Sequence, residues 1–63
     1  MTRMFIKKEA KADELGRILR KVAETGCESI TWTDIEFDRD GAKCEAYSSL
    51  EGIALVRAGF IPA

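Results

Sequence analysis

Residues 30–47 read Ile30-Thr-Trp-Thr-Asp-Ile-Glu-Phe-Asp-Arg-Asp-Gly-Ala-Lys-Cys-Glu-Ala-Tyr47. The first half, Ile30–Asp38, is rich in β-branched and aromatic residues and predicts a strand. Asp40-Gly41 then signals a hairpin, because both central positions of a type I′ turn need positive φ. A second strand is predicted from Ala42 to about Tyr47. With Asp40-Gly41 at the turn, Phe37 opposes Cys44, Ile35 opposes Ala46 and Asp38 opposes Lys43. Apolar pairs then share one face and a salt-bridging pair lies on the other, so the register is self-consistent.

Working outward, Met4–Lys8 predicts a short strand. Leu15, Ile18, Leu19, Val22 and Ala23 recur at i, i+3, i+4, i+7 and i+8, the period of a helix with one apolar face. That helix is predicted over 11–25. Asp13 and Glu14 suit its positive end, Arg20 and Lys21 its negative end, and Gly26 its stop. Beyond the hairpin, Ser48-Ser49-Leu50-Glu51 forms a capping box. Leu50, Ile53, Ala54, Leu55, Val56 and Ala58 are apolar nearly all round, which predicts a largely buried helix. Gly59 ends it, Phe60 is placed to pack on Leu55, and Pro62 prevents a restart. The expected fold is one α+β domain spanning 1–63, ordered β-α-β-β-α, with a three-stranded sheet and both helices packed on one face. A right-handed crossover through the first helix would make the first strand parallel to the second.

A chain of 63 residues buries only about 60% of the surface that it exposes when unfolded, so its core is thin. Disulfides, metals or association commonly support such domains. Cys27 and Cys44 stand 17 positions apart outside any C-x-x-C pattern, and histidine is absent. Two lone thiols do not make a tetrahedral zinc site. The apolar run Met4-Phe5-Ile6 is too short for a signal-peptide core, and no 18-residue apolar stretch spans a membrane. A cytoplasmic protein with two reduced, buried cysteines is therefore expected. Association is the remaining support.

The residues for chemistry are sparse. The serines and cysteines have no histidine to act as base, so no nucleophile is activated and no enzyme is expected. Glu36-x-Asp38-x-Asp40-Gly41 resembles the first half of an EF-hand loop. Position twelve would be Tyr47 rather than glutamate, and strand rather than helix precedes it, so calcium is not expected. The five glycines fit neither a dinucleotide fingerprint nor a P-loop. No cofactor and no metal are expected.

The charge is unevenly spread. Residues 1–25 hold seven bases and four acids, whereas residues 26–63 hold three bases and seven acids. Strict alternation along the hairpin turns Trp32, Asp34, Glu36 and Asp38 outward, joined by Lys43, Glu45 and Tyr47 from the second strand. Glu36 and Glu45 then oppose each other as a like-charge pair. Phe5 joins this face if Met4 and Ile6 point inward. A β-bulge near Thr33-Asp34 would instead send Ile30 and Trp32 into the core. Exposed aromatics beside carboxylates suit a protein-binding surface. The expectation is a non-enzymatic binding module using Trp32, Asp34, Glu36, Asp38, Glu45 and Tyr47. Its expected partner is a protein with a basic surface, as for an inhibitor, for example one encoded by a phage, that imitates nucleic-acid charge. Two alternatives follow from other features. The first is nucleic-acid binding by Lys7, Lys8, Arg17, Arg20 and Lys21, disfavoured by a pI near 5.3. The second is a homodimer in which basic helix meets acidic sheet or two aromatic sheet faces pack together.

Overall fold

The computed structural model of the chain describes residues 2–63. Its elements are β1 (Arg3–Lys8), α1 (Leu15–Glu24), β2 (Glu36–Asp38), β3 (Gly41–Ala46), α2 (Ser49–Arg57) and β4 (Ile61–Pro62). One turn of 3₁₀ helix precedes α1 at Ala12–Glu14, and another precedes β2 at Trp32–Asp34. The sheet has four strands rather than three, in the order β2-β3-β1-β4, and every neighbouring pair is antiparallel. Because β1 and β2 both run against β3, they point the same way with β3 inserted between them. The fold is a small α+β domain with an open antiparallel sheet.

The fourth strand is two residues long and pairs Ile61 with Ile6 and Pro62 with Phe5. Its position follows from the end of α2. The Phe60 N–H donates to the Leu55 carbonyl at 2.9 Å and the Gly59 N–H to the Val56 carbonyl at 3.0 Å, with Gly59 at φ +101°. This paired C-terminal cap turns the chain back. It buries Phe60 and delivers Ile61 to the free edge of β1. The start of α2 also follows its capping signal, since Ser48 Oγ accepts from the Glu51 N–H at 3.2 Å. The Glu51 carboxylate, however, reaches one residue further than expected. The Tyr47 N–H donates to its Oε1 at 2.7 Å and the Ser29 hydroxyl to its Oε2.

The hairpin register differs from expectation. Phe37 pairs with Ala42, Glu36 with Lys43 and Asp38 with Gly41, so Arg39 and Asp40 form the turn. A slip of two residues keeps every side chain on its expected face. The cause lies across the sheet rather than in the turn. A Cβ on Gly41, whose φ is +136°, would stand 2.2 Å from the Lys7 carbonyl oxygen and 2.8 Å from the Glu9 nitrogen. Gly41 is therefore needed inside the ladder, where β1 passes close and the Glu9 N–H donates to the Asp40 carbonyl at 3.0 Å. The slip also separates Glu36 from Glu45, because Glu36 now opposes Lys43 and Glu45 opposes Met4.

The core joins Ile18 and Val22 of α1, Ala54 and Leu55 of α2, Ile30 and Ile35, and the inward-facing Phe5, Ala42, Cys44 and Ala46 of the sheet. Phe5 is therefore a core residue, and Met4 and Ile6 face out, the reverse of the arrangement in which Phe5 would join the outer face. Cys27 and Cys44 are both buried free thiols, and burial pushes the Cys44 thiol up to about 11. Helix α2 departs from its expected burial. Leu50, Ile53 and Val56 stay about half exposed, because the sheet and α1 cover only one side of it.

Two glycine substitutions should move stability in opposite directions. Gly41→Ala should lower the unfolding free energy by about 3 kcal/mol, from strained φ and the clash with Lys7. Gly16→Ala, where a Cβ meets nothing within 4 Å, should raise it by about 0.5 kcal/mol. Urea denaturation midpoints of the two variants check both signs.

Candidate functional site

The outward face of the sheet is divided along its width. Ile61, Ile6, Lys43 and Glu36 form one row across all four strands, and Met4 and Glu45 form the next. The β4–β1 half is therefore apolar and the β3–β2 half charged. Four of the expected site residues, Asp34, Glu36, Glu45 and Tyr47, meet around a shallow cavity of about 200 Å³ together with Met4 and Lys43. Asp38 stands beside this group rather than in its lining, bound to Lys43 with Nζ to Oδ2 at 2.9 Å. Trp32 is 66% exposed and also lies outside the lining.

The segment before β2 is built differently from the expected strand. Asp34 folds back on Thr31, accepting from its N–H at 2.7 Å and its hydroxyl at 3.1 Å. These local bonds satisfy the Thr31 backbone without a partner strand and close a 3₁₀ turn instead. The turn achieves what neither strict alternation nor a bulge would. Ile30 goes into the core and Trp32 stays in solvent. The 3₁₀ turn also carries Asp34 off the strand while keeping it in the cavity lining.

Lys43 is central to the local electrostatics. Its bond to Asp38 and the nearby Asp40 and Glu36 raise its affinity for a proton. In return Lys43, together with the Asp40 N–H at 2.8 Å, holds the Asp38 carboxyl below its ordinary range. One cation thus stands among Asp34, Glu36, Asp38 and Glu45, and the face stays net acidic. The Glu45 carboxylate raises the Tyr47 phenol above its usual value, so this hydroxyl is a proton donor and not a base near neutral pH. The arrangement groups carboxylate hydrogen-bond acceptors with the apolar surfaces of Met4 and Tyr47. Among the described residues, no three His, Cys, Asp or Glu side chains gather closely enough to hold a metal ion. Nor is any helix long and apolar enough to cross a membrane.

A second cavity, of about 180 Å³, lies on the other side of the molecule. Lys7 of β1, Arg17 and Lys21 of α1 and Arg57 of α2 converge on it. Lys7 also pairs with Glu14 at 3.6 Å. Sequence reasoning placed three of these bases in one cluster but missed Arg57, which only the packing of α2 beside α1 and β1 brings near. It also missed Met4 as a lining residue, because Phe5 competed for the same face. No family model, curated protein or solved structure matches the chain.

The Asp38–Lys43 pair has a pH signature. The Asp38 pKa is lowered on folding, so its contribution to stability is present above the ordinary carboxylate range and is lost as pH falls through the lowered value. The pair is solvent-exposed, so the effect on stability is small. Lys43→Met should move the Asp38 titration to higher pH, which carboxyl-carbon NMR would measure directly. A titration unchanged by the substitution would mean that the Lys43 contact does not persist in solution.

Proposed function

We propose that this chain is a small protein-binding module whose acidic hairpin face receives a partner with a basic surface, as an inhibitor that imitates nucleic-acid charge would do. The observation that carries this reading is the meeting of Asp34, Glu36, Glu45 and Tyr47 around one cavity, with Trp32 exposed nearby. A row of carboxylates on a short, rigid hairpin presents negative charge at fixed positions and steers a basic partner at long range. Partly exposed aromatic side chains then supply the contact area on which affinity depends. The module works by occupancy, without covalent chemistry.

One observation favours a second reading. The convergence of Lys7, Arg17, Lys21 and Arg57 from three elements would suit a phosphate group. It supports nucleic-acid binding through the basic side, with Lys8 and Arg20 as flanking contacts.

A single titration separates the two. Trp32, the one tryptophan of the chain, reports binding by fluorescence. With an arginine-rich peptide as probe, amide shifts should concentrate on Glu36, Glu45 and Tyr47. Neutralising Asp34, Glu36, Asp38 and Glu45 together should weaken binding at least about tenfold. Undiminished binding by that variant, or a steeply salt-dependent affinity for single-stranded DNA or RNA that Arg17→Ala and Lys21→Ala remove, would reject the acidic face and favour the basic one.

A further inference from the structure

The cavity between β1 and the two helices holds more positive charge than the fold accounts for. Lys7, Arg17, Lys21 and Arg57 line it, and no carboxylate does. Lys7 and Lys21 make long ion pairs, with Glu14 at 3.6 Å and Glu24 at 3.9 Å. Among the described residues, neither Arg17 nor Arg57 forms an ion pair. The negative end of a helix attracts a base to its last turn, which suits Lys21 and Arg57. It explains neither Arg17, about two turns before the end of α1, nor Lys7, which is on a strand. Like charges drawn together from three elements oppose folding unless an anion offsets them.

The cavity is also shaped around Lys7. This side chain is 29% exposed and lies across Gly59. A Cβ on Gly59 would stand 3.1 Å from Lys7 Cε and 3.4 Å from its Nζ. The glycine that caps α2 thus also leaves room for the ammonium group. Glu14 commits one oxygen to the Lys11 N–H at 3.0 Å and reaches Lys7 only with the other.

We propose that this cavity binds the terminal phosphate group of a phosphate monoester. Four bases against the two flanking acids leave a charge of +2. A monoester carries about −1.5 to −2 near pH 7, whereas an in-chain phosphate or a carboxylate carries a single charge. The donors agree with this choice. Each guanidinium is a flat fork of N–H groups that grips phosphate oxygens in pairs, and each ammonium has three N–H bonds. A terminal phosphate offers three oxygens to these four bases, and a carboxylate or an in-chain phosphate offers two.

Size sets the limit. A volume of 180 Å³ holds about six waters at the density of the liquid. Sites that enclose a whole drug-sized molecule measure about 300–1,000 Å³. The cavity therefore takes the phosphate and leaves its carrier outside. A polynucleotide backbone asks for bases in a row along its path, whereas these four converge on one point. The proposal rests on the basic side alone and narrows its ligand from a nucleic-acid backbone to a single terminal phosphate.

Phenyl phosphate and its methyl diester test the proposal, titrated in about 0.15 M salt to screen weak surface attraction. Amide NMR shifts should concentrate on Lys7, Arg17, Lys21 and residues 57–59. The monoester should bind at least about tenfold more tightly than the diester. Arg17→Gln and Arg57→Gln should each weaken the monoester by about tenfold. Their circular dichroism should be unchanged, because both side chains are exposed. Arg57→Lys should restore only part of the loss, since an ammonium cannot grip two oxygens in parallel. One single-stranded oligonucleotide, with and without a 5′-phosphate, separates the carriers. Binding of the phosphorylated form alone adds a chain end as carrier, and binding of neither limits the carrier to small molecules. Equal binding of both would overturn the inference in favour of the backbone. No phenyl phosphate binding below about 10 mM, equal affinity for monoester and diester, or binding that survives both arginine substitutions would overturn it too. The variant with a neutralised acidic face should bind phenyl phosphate like the parent, so failure of the proposed function and failure of this site are separable.

Discussion

A carboxylate removed from water must be given hydrogen bonds in exchange, and Glu51 takes them from two distant segments. It is the one charged side chain buried among the described residues. One oxygen holds the Tyr47 N–H at the end of β3, and the other holds the Ser29 hydroxyl in the connection between α1 and β2. Its own backbone N–H is held by Ser48. Hydrogen bonds to a charged group contribute about 1.5–3 kcal/mol each, while an unpaired buried charge costs several kcal/mol. The helix start, the strand end and the long connection are thus secured together or not at all. Through the Tyr47 N–H this carboxylate sets the direction in which the chain leaves β3, and Tyr47 in turn lines the acidic cavity.

Local chemistry was legible in the sequence where its cause is local. Ser48 and Glu51 marked the start of α2, and Gly59 with Phe60 marked its end. The hydrophobic period set α1, although its first turn tightened to 3₁₀. The hairpin turn was misplaced by one residue, and the register with it by two, because Gly41 answers to the Lys7 carbonyl, 34 positions away. No turn rule contains that contact. The Trp32–Asp34 turn was missed because its β-branched and aromatic composition masks an Asp34-to-Thr31 bond that competes with strand. The fourth strand was missed because Pro62 reads as a terminator. It is one, but for an edge strand as well as for a helix.

The candidate site was partly legible for the same reason. Alternation survives a slip of two residues, so Glu36, Asp38 and Glu45 face outward in either register. Their neighbours do depend on register. The like-charge pair expected from the sequence is replaced by a Glu36–Lys43 pairing, and Met4 lies opposite Glu45. The bases around Lys7 and the exposed apolar side of α2 required the full path of the chain. The molecule consequently carries three unlike surfaces: an acidic one over the hairpin, a basic one between β1 and the two helices, and an apolar one on α2.

The place of β1 in the sheet has a consequence for the order of synthesis. It is the earliest strand to be made, yet it is flanked by β3 and by β4. At about 5–20 residues per second, it emerges seconds before either neighbour. Throughout that interval Phe5 and both strand edges have no partner. The contacts of β1 with β3 and β4 are long-range in sequence, which favours slow folding. Removing β4, a strand of only two residues, would turn β1 from an interior strand into an exposed edge.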